Sequence, residues 1–224
     1  MRHVACRLSP VACCLLPVLW LAGGITVRAA ATGDAVRVLA DLQSRLGGVT
    51  NVQTDFVQEK RLAVLDREVI VRGRLVVQLP DRVAWQVTEP MRYRLTIDGE
   101  RLRQWDELTG AVQQTSLAGN PVFGVIARQM RGWLAGRLDT LAADFDASLD
   151  TDGPRPRVVF TPRPGSFAQK AVKRVLLPPR EDGRYLEAMR IEEIGGDTTF
   201  MRFTNTVLNA VIDAAAWEVR PHAR

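Results

Sequence analysis

The chain has 224 residues, of which 46% are hydrophobic, 25% charged and 6% aromatic, and this composition excludes a disordered, collagen-like or coiled-coil protein. Three Cys and one of the two His lie within the first fourteen residues, and the other, His222, is third from the end. The body of the chain therefore lacks the thiol and imidazole groups of a Cys/His zinc site, a Ser-His-Asp or Cys-His site, or a redox CxxC pair. We predict a protein that is not an enzyme, with no catalytic residue, no metal and no cofactor.

The first 30 residues have the pattern of a cleavable signal peptide. Arg2 and Arg7 precede an apolar stretch, residues 11–24, which is shorter than the roughly 20 residues that cross a bilayer as a helix. Small residues that suit a signal peptidase follow it. We expect residues 1–30 to be a signal peptide and residues 31–224 to form a single domain exported to the periplasm, with a buried N-terminal helix as the alternative.

Removal of this leader changes the charge balance. Residues 31–224 carry 27 basic and 25 acidic residues, a net charge of +2. They contain no basic run and no aromatic–basic stripe, so nucleic-acid binding has little support.

A helix followed by many short strands is predicted in chain order. Asp34–Leu46 has apolar residues at helical spacing and ends at Gly47-Gly48. The period then changes to two, with apolar odd positions from Val69 to Leu79, which predicts half-buried antiparallel strands. Asp98-Gly99 predicts a two-residue hairpin turn. Later strands are predicted at Phe145–Leu149, Arg157–Thr161, Val172–Leu177, Leu186–Ile194 and Thr198–Thr204, with a final piece near Trp217.

A second helix is predicted between the two groups of strands. Asn120–Leu141 carries an apolar stripe, and its three glycines would each cost about 1 kcal/mol relative to Ala. They indicate a helix that is broken, closely packed or able to move. With about ten or eleven strands and no βαβ alternation, the sequence favours a sheet curled into a barrel or half-barrel.

Specific motifs lie between Phe56 and Asp106. The order is FxQxK, G-x-L, P-x4-W-x4-P and DG-x5-WD, carried by Phe56, Gln58, Lys60, Gly73, Leu75, Pro80, Trp85, Pro90, Asp98, Gly99, Trp105 and Asp106. This ordered set resembles the LolA family of periplasmic carriers, which move lipoproteins between the two membranes of a bacterium.

The resemblance implies both a fold and a function. The fold would be α+β and mainly β, an open antiparallel half-barrel whose helices form a lid over an apolar cavity. The cargo would be the acyl chains of lipoproteins, collected from an inner-membrane ABC-type exporter and delivered to an outer-membrane receptor by a monomer. The residues expected in the cavity and lid are Leu75, Val77, Trp85, Leu95, Ile97, Trp105, Phe123, Ile126, Met130 and Trp133.

One departure from the family pattern concerns the lid. Better-known members have an Arg immediately before the Pro of P-x4-W that holds the lid helices, whereas this chain has Leu79. Arg74 or Arg82 could replace that latch. The departure makes a second cargo credible: a glycolipid, a polyene ester or another lipid of a dedicated pathway.

Two further classes remain as alternatives, a carboxylate-based hydrolase and a structural envelope protein. Glu192-Glu193 is the only feature that suggests a two-carboxylate site. Neighbouring residues of a strand point to opposite faces, so we expect this pair to be inert.

Overall fold

The computed structural model describes residues 47–64, 67–117, 144–152, 157–166, 168–178 and 187–220, together with Arg37, Ala40 and Ser44. The last three are helical and belong to the predicted helix Asp34–Leu46. The predicted signal peptide and the predicted helix Asn120–Leu141 lie outside the described residues.

Eleven antiparallel strands form one open sheet in the described part of the chain. The strands are β1 Asn51–Leu62, β2 Arg67–Gln78, β3 Arg82–Glu89, β4 Tyr93–Asp98, β5 Arg101–Asp106, β6 Val112–Ser116, β7 Phe145–Asp150, β8 Arg157–Pro162, β9 Val172–Leu177, β10 Ala188–Glu193 and β11 Thr198–Leu208. The mainly-β, open antiparallel architecture is thus confirmed. The helical lid stays a prediction.

The strand order is β6-β5-β4-β3-β2-β1-β11-β10-β9-β8-β7. It describes two meanders, β1–β6 and β7–β11, in which each strand pairs with its neighbour in sequence. The meanders join where β1 pairs with β11, from Val52–Leu208 to Arg61–Thr198. We call this pairing the seam. It places the first and last strands side by side, and it leaves β6 and β7 at the two edges.

The alternation of side chains along the strands gives the sheet two unlike faces. One face, here called the apolar face, carries the hydrophobic core of both meanders. Its buried members include Val52, Phe56, Val71, Leu75, Val77, Val83, Trp85, Tyr93, Leu95, Ile97, Leu102, Phe145, Val158, Phe160, Val175, Leu177, Met189, Met201 and Phe203. The opposite face of the first meander carries most of its strand arginines, including Arg72, Arg74, Arg82, Arg94 and Arg103.

One turn agrees with the sequence prediction, and the segment near the C-terminus does not. The hairpin predicted at Asp98-Gly99 is present, with Gly99 and Glu100 as its two loop residues and Gly99 at φ 58°, a conformation that favours glycine. The strand predicted near Trp217 is wrong, because Ala214–Trp217 is a 3-10 helix. Asp213 caps this helix by accepting a hydrogen bond from the Ala215 N–H.

Candidate functional site

Five of the residues predicted to line a cavity lie together on the apolar face. Leu75 pairs with Trp85, which pairs with Leu95, so these three side chains form a row across β2, β3 and β4. Val77 and Ile97 belong to the next row, on either side of Val83. All are at most 6% exposed, so the first meander contributes a continuous, buried hydrocarbon surface.

The remaining predicted cavity residues fall elsewhere. Trp105 pairs with Arg94, and the strand register therefore places it on the opposite face, separated from Trp85 by the thickness of the sheet. Phe123, Ile126, Met130 and Trp133 lie outside the described residues.

The family motifs meet at one point of the apolar face. Phe56 lies across from Gly73, and its ring contacts the Trp85 ring with the centroids 4.3 Å apart. A Cβ on Gly73 would lie 2.7 Å from Phe56 Cζ and 2.0 Å from the backbone oxygen of Gln86. Only glycine lets the Phe56 ring settle against the strand, so the FxQxK and G-x-L motifs specify one packing arrangement.

Trp85 has a polar group that this packing leaves without a partner. Its indole Nε1 is buried, and no hydrogen-bond acceptor for it lies among the residues that the structure describes. Buried polar groups in proteins are normally paired.

A buried ion pair interrupts the hydrocarbon surface at the seam. Lys60, the last residue of FxQxK, places Nζ 3.1 Å from Glu193 Oε1 and 3.8 Å from Asp197 Oδ2. The side chains of Lys60 and Glu193 are only 8% and 10% exposed. Sequence reasoning missed this pair, since Lys60 and Glu193 are far apart in the chain; the signal was a Lys with the same strand parity as Phe56.

A second polar group lies toward the β6 edge. The Tyr93 hydroxyl donates to Gln104 Oε1 at 3.2 Å, and Gln104 Nε2 donates to Gln113 Oε1 at 2.8 Å. Burial, followed by the charge of Asp106, raises the Tyr93 pKa far above its ordinary value of 10.0. The hydroxyl therefore remains neutral and acts as a donor at physiological pH.

The two adjacent glutamates do not act together. Arg174 Nε donates to Glu192 Oε2 at 2.7 Å, and this hydrogen bond lowers the Glu192 pKa. Glu193 instead pairs with Lys60. Each carboxylate is held by its own cation, which does not fit an acid–base pair.

The opposite face of the first meander is covered by the C-terminal segment, residues 209–220. Gln86 Nε2 donates to the Ala216 carbonyl at 3.0 Å, Arg94 Nη1 to that of Glu218 at 3.1 Å, and Arg103 Nη2 to that of Trp217 at 3.3 Å. The Arg82 guanidinium lies 4.0 Å from the centre of the Trp217 ring.

The two residues predicted as a lid latch also lie on this opposite face. Arg74 donates to Gln53 Oε1 at 3.2 Å and lies 3.7 Å from Asp55. Arg82 stacks on Trp217 and donates to Gln78. The register thus directs both guanidinium groups away from the apolar face. In the described residues Arg82 fastens the C-terminal segment, because even positions of β2 and β3 share its side of the sheet.

In the part of the chain that the structure describes, no group of three or more His, Cys, Asp or Glu side chains is placed to hold a metal ion. None of the helices in the described residues has the length and apolar character needed to cross a membrane.

The fold and its faces define a mainly-β protein built as a single open sheet with one buried apolar face. The family model described as "Outer membrane lipoprotein carrier protein LolA" matches residues 47–220. The chain belongs to the LolA family.

Individual relatives are distant. An "Outer-membrane lipoprotein carrier protein" of Alkalilimnicola ehrlichii is 28% identical over 185 residues, which covers 81% of this chain and 79% of the relative. An uncharacterized conserved protein from Thermus thermophilus has a similar fold, with a TM-score of 0.52 at 10% identity over 84% of this chain and 94% of the other. A LolA superfamily protein from Nitrosomonas europaea gives a TM-score of 0.41 at 10% identity, over 82% and 97% of the two chains.

Proposed function

We propose that this protein is a periplasmic carrier that binds the acyl chains of lipoproteins against its apolar face and shuttles them from the inner to the outer membrane. Membership of the LolA family and the similarity to the outer-membrane lipoprotein carrier protein of Alkalilimnicola ehrlichii support this role. The observation that carries it is the apolar face, to which both meanders contribute buried hydrophobic side chains. Residues 1–30 act as the export signal and residues 31–224 as one carrier domain.

The energetics of acyl binding suit such a surface. Each methylene removed from water stabilises a complex by about 0.8 kcal/mol. A chain of about 16 carbons therefore offers on the order of 10 kcal/mol before association and ordering costs are subtracted. This is binding without chemistry, so the carrier needs no catalytic group.

The lid is proposed from the connectivity of the sheet. Leu117 follows β6 at one edge, and Asp144 precedes β7 at the other. The chain between them links the two edges, and it contains the predicted cavity and lid residues Phe123, Ile126, Met130 and Trp133. We propose that this segment acts as the lid over the apolar face, enclosing the cargo and releasing it by a modest population shift.

The partners are proposed with the role. An inner-membrane ABC-type exporter would load the carrier, an outer-membrane receptor would unload it, and the carrier would travel as a monomer.

A second cargo is favoured by the position of the arginines. Leu79 replaces the usual latch, and the guanidinium groups of Arg74 and Arg82 both lie on the opposite face. A lid without that latch would suit a different acylated cargo, such as a glycolipid or a polyene ester.

Native mass spectrometry of the protein purified from its own periplasm tests the acyl-carrier role. We expect a co-purifying acylated mass and binding of a hydrophobic dye; absence of both would contradict either cargo. Depletion of the protein should mislocalise lipoproteins under the first role and leave them correctly sorted under the second.

A pair of variants tests the lid. Ile126→Asp on the apolar stripe should abolish dye binding with the fold intact, whereas Gln129→Asp, off the stripe, should leave binding unchanged. Unchanged binding in Ile126→Asp, or loss of its fold, would remove the stripe from the site.

A further inference from the structure

The Trp85 indole N–H is an unused hydrogen-bond donor on the apolar face. Trp85 is 4% exposed, and its direct cross-strand neighbours, Leu75 and Leu95, offer no acceptor. Gln104, which follows Leu95 in the same row, is already engaged, because its Oε1 accepts a hydrogen bond from the Tyr93 hydroxyl. Among the described residues nothing accepts the Trp85 proton.

Packing alone does not require this donor. A Phe at position 85 would also place an aromatic ring against Phe56 and would leave no N–H buried without a partner. An indole N–H in a protein interior usually finds a partner, and a buried donor that lacks one has already lost its water. An acceptor brought by a ligand would therefore gain a full hydrogen bond at no further desolvation cost to the protein.

We propose that Trp85 donates to the carbonyl oxygen of the acyl cargo, an inference that rests on the proposed function. Fatty acyl groups carry this acceptor at the head of an otherwise apolar chain. The methylenes lie against the hydrocarbon rows, and the carbonyl is bound at the indole. The site therefore distinguishes acyl esters from alkyl ethers, whose oxygen is a weaker acceptor, and it fixes how far along the face the chain can slide.

The two ligands that test this inference differ in one group. Dihexadecanoyl glycerol has ester carbonyls, and dihexadecyl glycerol has ether oxygens and chains of equal length. Their dissociation constants are measured by competition with a hydrophobic dye on three proteins: wild type, Trp85→Phe and Trp105→Phe. Trp105 is the matched control because it lies on the opposite face of the same sheet.

We expect wild type and Trp105→Phe to prefer the ester about tenfold, which corresponds to about 1.4 kcal/mol. Trp85→Phe should bind both lipids with the affinity that wild type has for the ether. Equal affinity of wild type for the two lipids, or an ester preference retained by Trp85→Phe, would overturn the inference and leave the carrier role standing. Failure of wild type to bind either lipid would contradict the carrier role itself.

A measurement on the wild-type chain removes any dependence on the fold of the variant. The indole N–H proton resonance of Trp85 should shift downfield and exchange more slowly with dihexadecanoyl glycerol than with the ether. An identical resonance with both lipids would show that the indole makes no bond to the carbonyl.

Discussion

The two faces of the first meander differ in how far they expose paired charged side chains to water. On the apolar face, Lys60 and Glu193 are an ion pair that is about nine-tenths buried. On the opposite face, the paired groups Arg72 and Glu89 are 51% and 62% exposed. Both pairs bridge strands at 3.1 Å, so their geometry is similar and their surroundings are not.

The comparison indicates which face of the sheet tolerates substitution of its side chains. Water screens the contacts of the exposed arginines, whereas contacts on the apolar face lie in a medium of low dielectric constant that strengthens them and penalises any unpaired group. Substitutions of equal size should therefore lower the free energy of unfolding more on the apolar face than on the opposite face. The following predictions test that difference.

Replacement of Lys60 should have the largest effect. Lys60→Met leaves the buried Glu193 carboxylate without its cation, and we expect the free energy of unfolding to fall by about 3 kcal/mol. The measurement is equilibrium urea denaturation. Arg72→Met is the matched control on the opposite face, with an expected loss below about 1 kcal/mol. Equal losses in the two variants would show that burial does not separate the faces.

Addition of one methyl group at Gly73 should have the next largest effect. Gly73→Ala forces the Phe56 ring and the Gln86 carbonyl to move, because the new Cβ would overlap both. We expect the free energy of unfolding to fall by about 2 kcal/mol. Gly195→Ala is the control, since a Cβ there meets no atom within 4 Å. A Gly73→Ala protein as stable as the control would contradict the close packing described.

The Arg82–Trp217 contact tests the opposite face. Arg82→Met removes the cation above the ring and should lower the free energy of unfolding by about 1 kcal/mol. Hydrogen exchange should become faster in the C-terminal segment and remain unchanged in β7–β9. Faster exchange across the whole sheet would mean that the segment supports the apolar face as well.

The buried hydroxyl of Tyr93 should make the stability of the protein depend on pH, but only at alkaline pH. Its pKa is raised in the folded chain, so above pH 10 the unfolded tyrosine ionises while the folded one keeps its proton. The contribution of Tyr93 to the free energy of unfolding should therefore be constant below pH 10. Above pH 10 it should decrease by up to about 1.4 kcal/mol per pH unit. Urea denaturation of wild type and Tyr93→Phe across this range isolates the slope, because Tyr185 is common to both. Parallel curves would contradict a buried hydroxyl.

The sequence was sufficient to predict most of the strands, because the two-residue alternation of apolar and polar side chains is a local pattern. Val172–Leu177 has the predicted bounds, and the alternation around Leu75 and Leu95 predicted which side chains share the apolar face. β11 continues four residues past the predicted end at Thr204, since its pairing with β1 extends to Leu208. A pairing between distant strands leaves no mark in a local pattern.

The candidate site was less predictable because it depends on contacts between distant residues. The ion pair of Lys60 could be predicted only from the pairing of β1 with β11. The position of Arg74 and Arg82 could be predicted only from the way the C-terminal segment lies on the sheet. One signal was available: Val76, Ala84 and Trp105 are apolar at positions that share a face with the strand arginines, and all three are buried. An apolar patch on a face that should be wet predicts that another part of the chain covers it.

The seam also has a consequence for how the molecule reaches its native state. Every other strand pair joins consecutive strands, so the eleven strands can form two ladders, one of six strands and one of five, from pairings between neighbours in sequence. Thr50 and Asn209, which hydrogen-bond beside the seam, are instead 159 positions apart. Closing so long a loop is slow relative to hairpin formation. We expect the two ladders to form early and their union to be the rate-limiting step, with the unpaired edges of β1 and β11 vulnerable to intermolecular pairing until it is complete.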